Sequence, residues 1–196
     1  MSTGLKANAD GSAAIQVGGS DAITITSGLV VSMNGGVGGL VTGTAITASG
    51  TSIDFTSIPS WVKRIIVMFQ GVSTSGSSVV QIQIGSGSVT TSGYLSSAVS
   101  LVNTGTVIGA TQTSGFGIEA ANGNTTSSSL RNGHATLTLI TGNAWVCSTN
   151  TSYSNTGFSA LCNGNITLGG ALDRVRITTV NGTDTFDAGS INILYE

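Results

Sequence analysis

Apolar and polar residues alternate along most of this chain in short runs. Val79–Ile84, His134–Ile140 and Leu172–Val180 each repeat with a period of two, which is the period of a half-buried β-strand. Glycine or asparagine turns separate the runs, and no stretch shows the three- and four-residue apolar spacing of a helix. This rhythm predicts an all-β chain folded as an antiparallel β-sandwich of jelly-roll type.

The longest predicted strand is Trp61–Gln70, which follows a turn at Pro59. Apolar residues occupy both of its faces, so both faces are expected to be covered. The other predicted strands are Thr51–Phe55, Tyr94–Val102, Gly115–Ala121, Ala144–Thr149, Phe158–Cys162, Ile166–Leu168 and Ser190–Tyr195. A long polar loop is predicted at Asn122–Asn132.

Residues 1–45 differ from the rest because their short alternating runs contain no aromatic residue. Strands without bulky side chains bury too little apolar surface to form a core of their own. We therefore expect an extended N-terminal anchoring or assembly segment, followed by the sandwich at residues 46–196. The side chains expected to make the anchoring contacts are Ile15, Val17, Ile23 and Ile25.

Charge is scarce along the whole chain of 196 residues: charged residues make up 7%, against roughly 25% in ordinary soluble domains. The net charge is −2 and the mean hydropathy is +0.34, a combination that does not fit a disordered chain. Serine, threonine and asparagine supply most of the polarity, and burying them costs less than burying lysine or glutamate. Such a surface favours obligate contact with other copies of the chain.

The same composition argues against several partners. Six Lys and Arg residues against eight Asp and Glu residues provide no basic stripe for nucleic acid. Apolar runs are too short to predict membrane insertion, and the N-terminus does not have the pattern of a signal peptide. Synthesis in a cytoplasm is the expectation.

Candidate chemistry is limited. His134 is the single histidine, and with Cys147 and Cys162 it forms no tight ligand pair, so no metal site is predicted. The two cysteines either form a disulfide between facing strands or stay reduced and buried, and we favour the second alternative.

Glu119 is the best candidate for a buried or reactive acid, but it stands alone. Asp173 beside Arg174 and Arg176 is interpreted as a structural ion pair. Because no pair of carboxylates suits glycoside hydrolysis, we predict neither catalytic residues nor a cofactor.

Two parts of the chain resemble the C-terminal domains of tail-fibre and related virion proteins of tailed bacteriophages. One part is Ile53–Ile65 with its continuation Met68–Ser73; the other is Asp173–Thr178 with Asp184–Glu196. The resemblance covers roughly residues 45–196. It implies a β-sandwich, homotrimeric assembly and a location in the virion.

The leading hypothesis is a phage fibre or adhesin-like module that attaches to other virion proteins through its N-terminal segment. Its loops would bind a glycan or protein on the host surface, with Tyr94, Tyr153 and Trp145 as the aromatic residues expected to be exposed there. The alternative is a capsid decoration or head-fibre protein bound to the major capsid protein. The short segment ahead of the sandwich suits this alternative, and an enzyme ranks last.

Overall fold

The computed structural model describes residues 3–7, 9, 13–17, 20–25, 31–33, 39–120 and 125–196. Among these residues there is no helix, and the strands pair in antiparallel fashion. The predicted all-β, sandwich-like fold is confirmed.

The strands are β1 (Thr3–Ala7), β2 (Ala13–Val17), β3 (Ser20–Ile25), β4 (Val31–Met33), β5 (Val41–Thr42), β6 (Ile46–Thr47), β7 (Ser52–Thr56), β8 (Arg64–Thr74), β9 (Val80–Ser86), β10 (Ser88–Val89), β11 (Leu95–Val102), β12 (Val107–Gln112), β13 (Phe116–Gly117), β14 (Arg131–Thr141), β15 (Ala144–Tyr153), β16 (Phe158–Thr167), β17 (Arg174–Thr179) and β18 (Phe186–Tyr195).

Contacts divide the chain into two units, Met1–Val41 with Glu196, and Thr42–Tyr195. In the first unit, β1 to β4 form a four-stranded sheet in chain order. The expected N-terminal strands are present in β2 and β3, where Ile15 lies opposite Ile23.

The second unit contains two sheets. A nine-stranded sheet has the order β12-β11-β16-β15-β14-β8-β18-β5, with β6 beside β18. A five-stranded sheet has the order β10-β9-β17-β7, with β13 beside β9. Together these sheets form the body of the sandwich.

The core lies between the two sheets. From the nine-stranded sheet come the buried side chains of Ile65, Val67 and Leu137, and from the five-stranded sheet those of Ile82 and Ile177. The alternation in the sequence places these residues on one face of each strand, so the period of two sets which face is buried.

The longest apolar strand begins later than predicted, at Arg64. A hydrogen bond from the backbone N–H of Val62 to the carbonyl oxygen of Pro59 (3.1 Å) closes the turn that precedes it. Trp61 lies in this turn, with its ring centroid 5.9 Å from that of Tyr195. The turn at Pro59 thus ends just before Arg64, where β8 begins to pair with Thr138 of β14.

The segment Asp187–Gly189, directly ahead of the predicted strand Ser190–Tyr195, is a bulged part of β18. The register of β18 against β8 shifts twice, on either side of Ala188. Gly189 has φ +85°, and a Cβ there would come within 2.5 Å of the Gln70 carbonyl oxygen. Glycine is needed because both the left-handed conformation and the close backbone approach exclude a side chain.

β12 is not among the strands predicted from the sequence; it pairs with β11 in an unbroken register from Ser96↔Gln112 to Leu101↔Val107. Its apolar pattern is weak, since Gly109 and Ala110 occupy its middle. Pairing with β11 supplies the strand character that local composition lacks.

Candidate functional site

The side of the nine-stranded sheet that points away from the core is an extended surface, here called the outer face. It comprises the residues of β8, β11, β12, β14, β15 and β16 that alternate with the buried core positions, together with those of β18 from Ser190 to Leu194. Strand register aligns these side chains in rows across the sheet. One row is Asn192, Met68, His134, Asn150, Leu161, Val99 and Gly109; the next is Leu194, Ile66, Thr136, Ser148, Asn163, Ser97 and Thr111.

The outer face is depleted of charge. Among the outward positions of these strands none is a carboxylate, and the ones with a basic side chain are Arg64 and His134. The remaining side chains are hydroxyls, amides and apolar groups. Such a surface resembles the centre of a protein interface, where charged residues are depleted.

The opposite surface of the sandwich, on the five-stranded sheet, concentrates charge. Arg176 on β17 forms two hydrogen bonds with Asp54 on β7, at 2.7 and 2.8 Å. Arg174 pairs with Asp173 at 2.7 Å, which holds the pKa of Asp173 below its usual range. The predicted pair with Asp173 therefore forms through Arg174 alone, because the strand register places Arg176 opposite Asp54.

An open groove of about 520 Å³ lies at the end of the outer face where β11, β12 and β16 meet. It is bordered by Leu95 and Ser97 on β11, Thr111 on β12, and Asn163 and Asn165 on β16. The lining therefore combines one exposed apolar side chain with hydroxyl and amide groups.

The three aromatic residues expected at exposed receptor-binding positions are buried, so that prediction of exposure is wrong. Tyr94, Trp145 and Tyr153 are at most 4% exposed. Trp145 lies on the inner face of β15 between Leu139 and Ile166 in the register. Large aromatic rings contribute more to stability inside the core than on a loop, and the polar residues around them had suggested loops.

Tyr94 supports the five-stranded sheet. Its hydroxyl accepts a hydrogen bond from the backbone N–H of Ile84 (2.8 Å) and lies 3.0 Å from the carbonyl oxygen of Thr90. Its ring packs edge-on against Phe116, with centroids 4.9 Å apart. Burial raises the pKa of the Tyr94 phenol to about 12, so the hydroxyl remains protonated.

Glu119, singled out in the sequence as a candidate buried acid, is the centre of a buried polar cluster. Both of its carboxylate oxygens accept hydrogen bonds from Nε of Arg131, at 2.9 and 2.8 Å. It also accepts bonds from the Tyr153 hydroxyl (2.7 Å) and the backbone N–H of Val80 (3.2 Å). Tyr153 in turn stacks on Phe158, with centroids 4.1 Å apart.

The electrostatics of this cluster favour a fixed ion pair. Burial acts to lower the pKa of the Arg131 guanidinium, but the carboxylate of Glu119 more than offsets this and holds that pKa above its ordinary value. Burial also raises the pKa of Tyr153, which keeps its hydroxyl as a donor. The partners of Glu119 therefore tie β9, β14 and β15 together, which is a structural role.

Arg131 was placed in the predicted polar loop Asn122–Asn132, but it begins β14 and is fully buried. Residues 122–124 of that loop lie outside the described residues. The described remainder is polar and exposed at 126–128, and it is joined to the 154–157 turn by a bond from Asn155 Nδ2 to the Ser128 carbonyl oxygen (2.6 Å).

His134 and the two cysteines do not share a site. His134 is exposed on the outer face, whereas Cys147 and Cys162 are buried on the inner face of β15 and β16. The thiols are free, as the favoured alternative predicted. In the part of the chain that the structure describes, no three His, Cys, Asp or Glu side chains come together as metal ligands.

The buried thiols predict that the protein loses stability in alkali. Burial raises the pKa of Cys162 from 9.0 to about 12 and raises that of Cys147 as well. The contribution of the two protonated thiols to the free energy of unfolding is complete below pH 9. It declines as the pH rises, because the thiols of the unfolded chain lose their protons at a lower pH than those of the folded chain. We expect a loss of about 1–2 kcal/mol per thiol by pH 10, measured by urea denaturation. A Cys147→Ala, Cys162→Ala variant should lose less stability between pH 8 and 10; an identical pH dependence would contradict the assignment.

The residues expected to anchor the N-terminal segment lie in β2 and β3. Ile15 is 42% exposed and Ile23 is partly buried. The side chains of Val17 and Ile25 lie outside the described residues, although both belong to these strands. Their anchoring role stays a prediction.

Comparison of the sequence with protein-family models and curated proteins, and of the fold with solved structures, found no match. Within the described ranges there is also no helix with the length and apolar character needed to cross a membrane.

Proposed function

We propose that this chain is a non-enzymatic structural protein of a bacteriophage particle. In this proposal it is a homotrimeric fibre or adhesin-like module, attached to other virion proteins through its N-terminal segment. The observation that carries the proposal is the outer face, which combines scarce charge with exposed apolar side chains. The resemblance of Ile53–Ile65 and Asp184–Glu196 to tail-fibre domains supports the same function.

Self-assembly follows from the cost of burying different side chains. Lysine and carboxylate groups lose their hydration when an interface closes over them, and they require paired partners there. Hydroxyl and amide groups cost less and can form hydrogen bonds with the same groups on another copy. A face with this composition is therefore suited to contact with a like face.

Host contact would use polar loops, since the aromatic residues are in the core. The turn at 154–157 and the segment 126–128 are exposed and adjacent. Their serine, threonine and asparagine side chains present donors and acceptors that suit a surface glycan or a polar protein segment.

We expect sedimentation velocity at micromolar concentration to give three times the subunit mass of 19.4 kDa. Because the outer face carries few charges, this association should be insensitive to salt between about 0.1 and 1 M. A monomer at every concentration would contradict the proposal. Dissociation at high salt would instead place the contact on the charged surface of the five-stranded sheet.

The second candidate, a capsid decoration or head-fibre protein, is favoured by the separate sheet that β1–β4 form, since it offers a distinct body for attachment. The two candidates differ in copy number. Quantitative mass spectrometry of purified particles should find few copies per particle for a fibre and many for a decoration protein. Failure to detect the chain in particles would contradict both.

A further inference from the structure

Four apolar residues of the outer face form a continuous patch at the β12 side of the sheet, here called the apolar patch: Val99, Leu101, Val107 and Leu161. Val99 lies opposite Leu161, and Leu101 lies opposite Val107. Val99 and Leu101 are two positions apart on β11 and share its outer face. Leu101, Val107 and Leu161 are 51%, 62% and 48% exposed, so the patch is largely open to solvent.

Among the strands that the structure describes, none pairs with β12 on the side away from β11, so the apolar patch borders a free sheet edge. β12 is last in the order of the nine-stranded sheet, and it has neither proline, charged residue nor register shift. These are the features by which proteins usually block pairing at an edge. At the other end of the sheet the edge strand is too short to pair extensively with another chain, since β5 spans only Val41–Thr42. The unprotected edge is thus the one beside the apolar patch.

The groove of about 520 Å³ lies on the same face as the apolar patch. Ser97 of the groove and Val99 of the patch are neighbouring outward positions of β11. We propose that the apolar patch of one copy packs into the groove of a second copy, with β12 along the boundary between them. This inference rests on the proposed self-assembly and assigns its contact surface. In the proposed trimer this contact is head-to-tail: the patch of each copy meets the groove of the next, and repeating it around the rotation axis closes a ring.

Three observations favour a second copy over another occupant. The apolar patch and groove carry no charge, so two copies meet without repulsion and without burying an ionised group. The groove supplies Leu95 as an apolar surface and Ser97 and Asn163 for hydrogen bonds. The patch itself contains neither aromatic rings nor polar groups, which makes it unsuited to a glycan.

The test uses single charge substitutions at exposed positions of the full chain. Leu101→Asp and Val107→Asp should each weaken self-association at least tenfold in sedimentation velocity. Val180→Asp is the matched control, since Val180 is 46% exposed and lies beyond the end of β17, outside the nine-stranded sheet. Near-UV circular dichroism checks that the variants are folded, and Leu101→Ser replaces any variant that is not.

A crosslinking experiment tests the head-to-tail geometry. Chains carrying Leu101→Cys are mixed with chains carrying Ser97→Cys, dissociated and reassembled together, and then oxidised. We expect disulfide-linked dimers that contain one chain of each kind, whereas Val180→Cys chains should give none. Linkage of Leu101→Cys chains only to one another would overturn the head-to-tail contact.

The possible results separate this inference from the proposed function. Loss of association in the patch variants alone supports it. If these variants associate like the unmodified protein, the contact surface is elsewhere and this inference falls, while self-assembly stands. If the unmodified chain is monomeric, both fall. Intact association with reduced binding to host cells would assign the apolar patch to a host partner and overturn the inference.

Discussion

Replacing Arg131 with methionine is expected to lower the free energy of unfolding by about 3–5 kcal/mol. Arg131 and Glu119 both have side-chain exposures of 0%. Methionine fills a similar volume but leaves the carboxylate of Glu119 buried without its cation. The Tyr153 hydroxyl and the Val80 N–H remain as donors, but they do not neutralise the charge. Urea denaturation followed by tryptophan fluorescence, at constant protein concentration, measures the loss.

Two further variants isolate the effect of burial. Arg176→Met removes a pair with equally good geometry but 36% side-chain exposure on both partners, and it should cost no more than about 1 kcal/mol. In the double variant Glu119→Gln, Arg131→Met the charge is absent and most of the stability should return. Equal losses in Arg131→Met and Arg176→Met would contradict the structural role of the buried cluster.

The sequence predicted the fold class because alternation is a local signal that survives in the final structure. Ile65, Val67 and Phe69 are spaced for one face of a strand, and that face is the core. The residues at which strands begin and end were less predictable. β16 joins two predicted strands across Asn163–Asn165, because pairing with β11 and β15 on both sides holds polar residues in extended conformation.

The buried cluster was only partly predictable. Glu119 could be singled out because acids are rare in this chain and it follows an apolar residue. Its main partner, Arg131, could not be identified, because the two side chains meet only in the folded chain, where Arg131 begins β14. The short local sequence around Arg131 is polar, which favoured a loop in the absence of that information.

The low charge of the outer face was predictable from the composition, but its location in the fold was not. Low charge indicates that some surface is suited to burial, yet it does not say which one. The sheet to which each strand belongs, together with its register, decides this: Asp54 and Arg176 point outward from the five-stranded sheet, whereas Ser97, Asn163 and Leu161 point outward from the nine-stranded sheet. A one-residue slip would turn the outward residues of a strand toward the core, so the register keeps the charged pair on the surface of one sheet and the uncharged rows on the surface of the other.

Replacing Tyr94 with alanine is expected to cost about 3–5 kcal/mol, the range for deleting a buried aromatic ring. The ring is wholly buried and packs edge-on against Phe116. The exposed receptor-binding position that the sequence suggested would instead predict a change within about 0.5 kcal/mol. Urea denaturation of the variant therefore decides between a core residue and a loop residue.

Tyr94→Phe separates the ring from its hydroxyl. Phenylalanine keeps the packing but leaves the Ile84 N–H without its acceptor, which should cost about 1–3 kcal/mol. Ile140→Ala is the control for losing a large side chain, since Ile140 is 64% exposed and should change stability by no more than about 0.5 kcal/mol. If Tyr94→Ala were as mild as Ile140→Ala, the tyrosine would not be part of the core, and the groove beside Leu95 would be shaped differently.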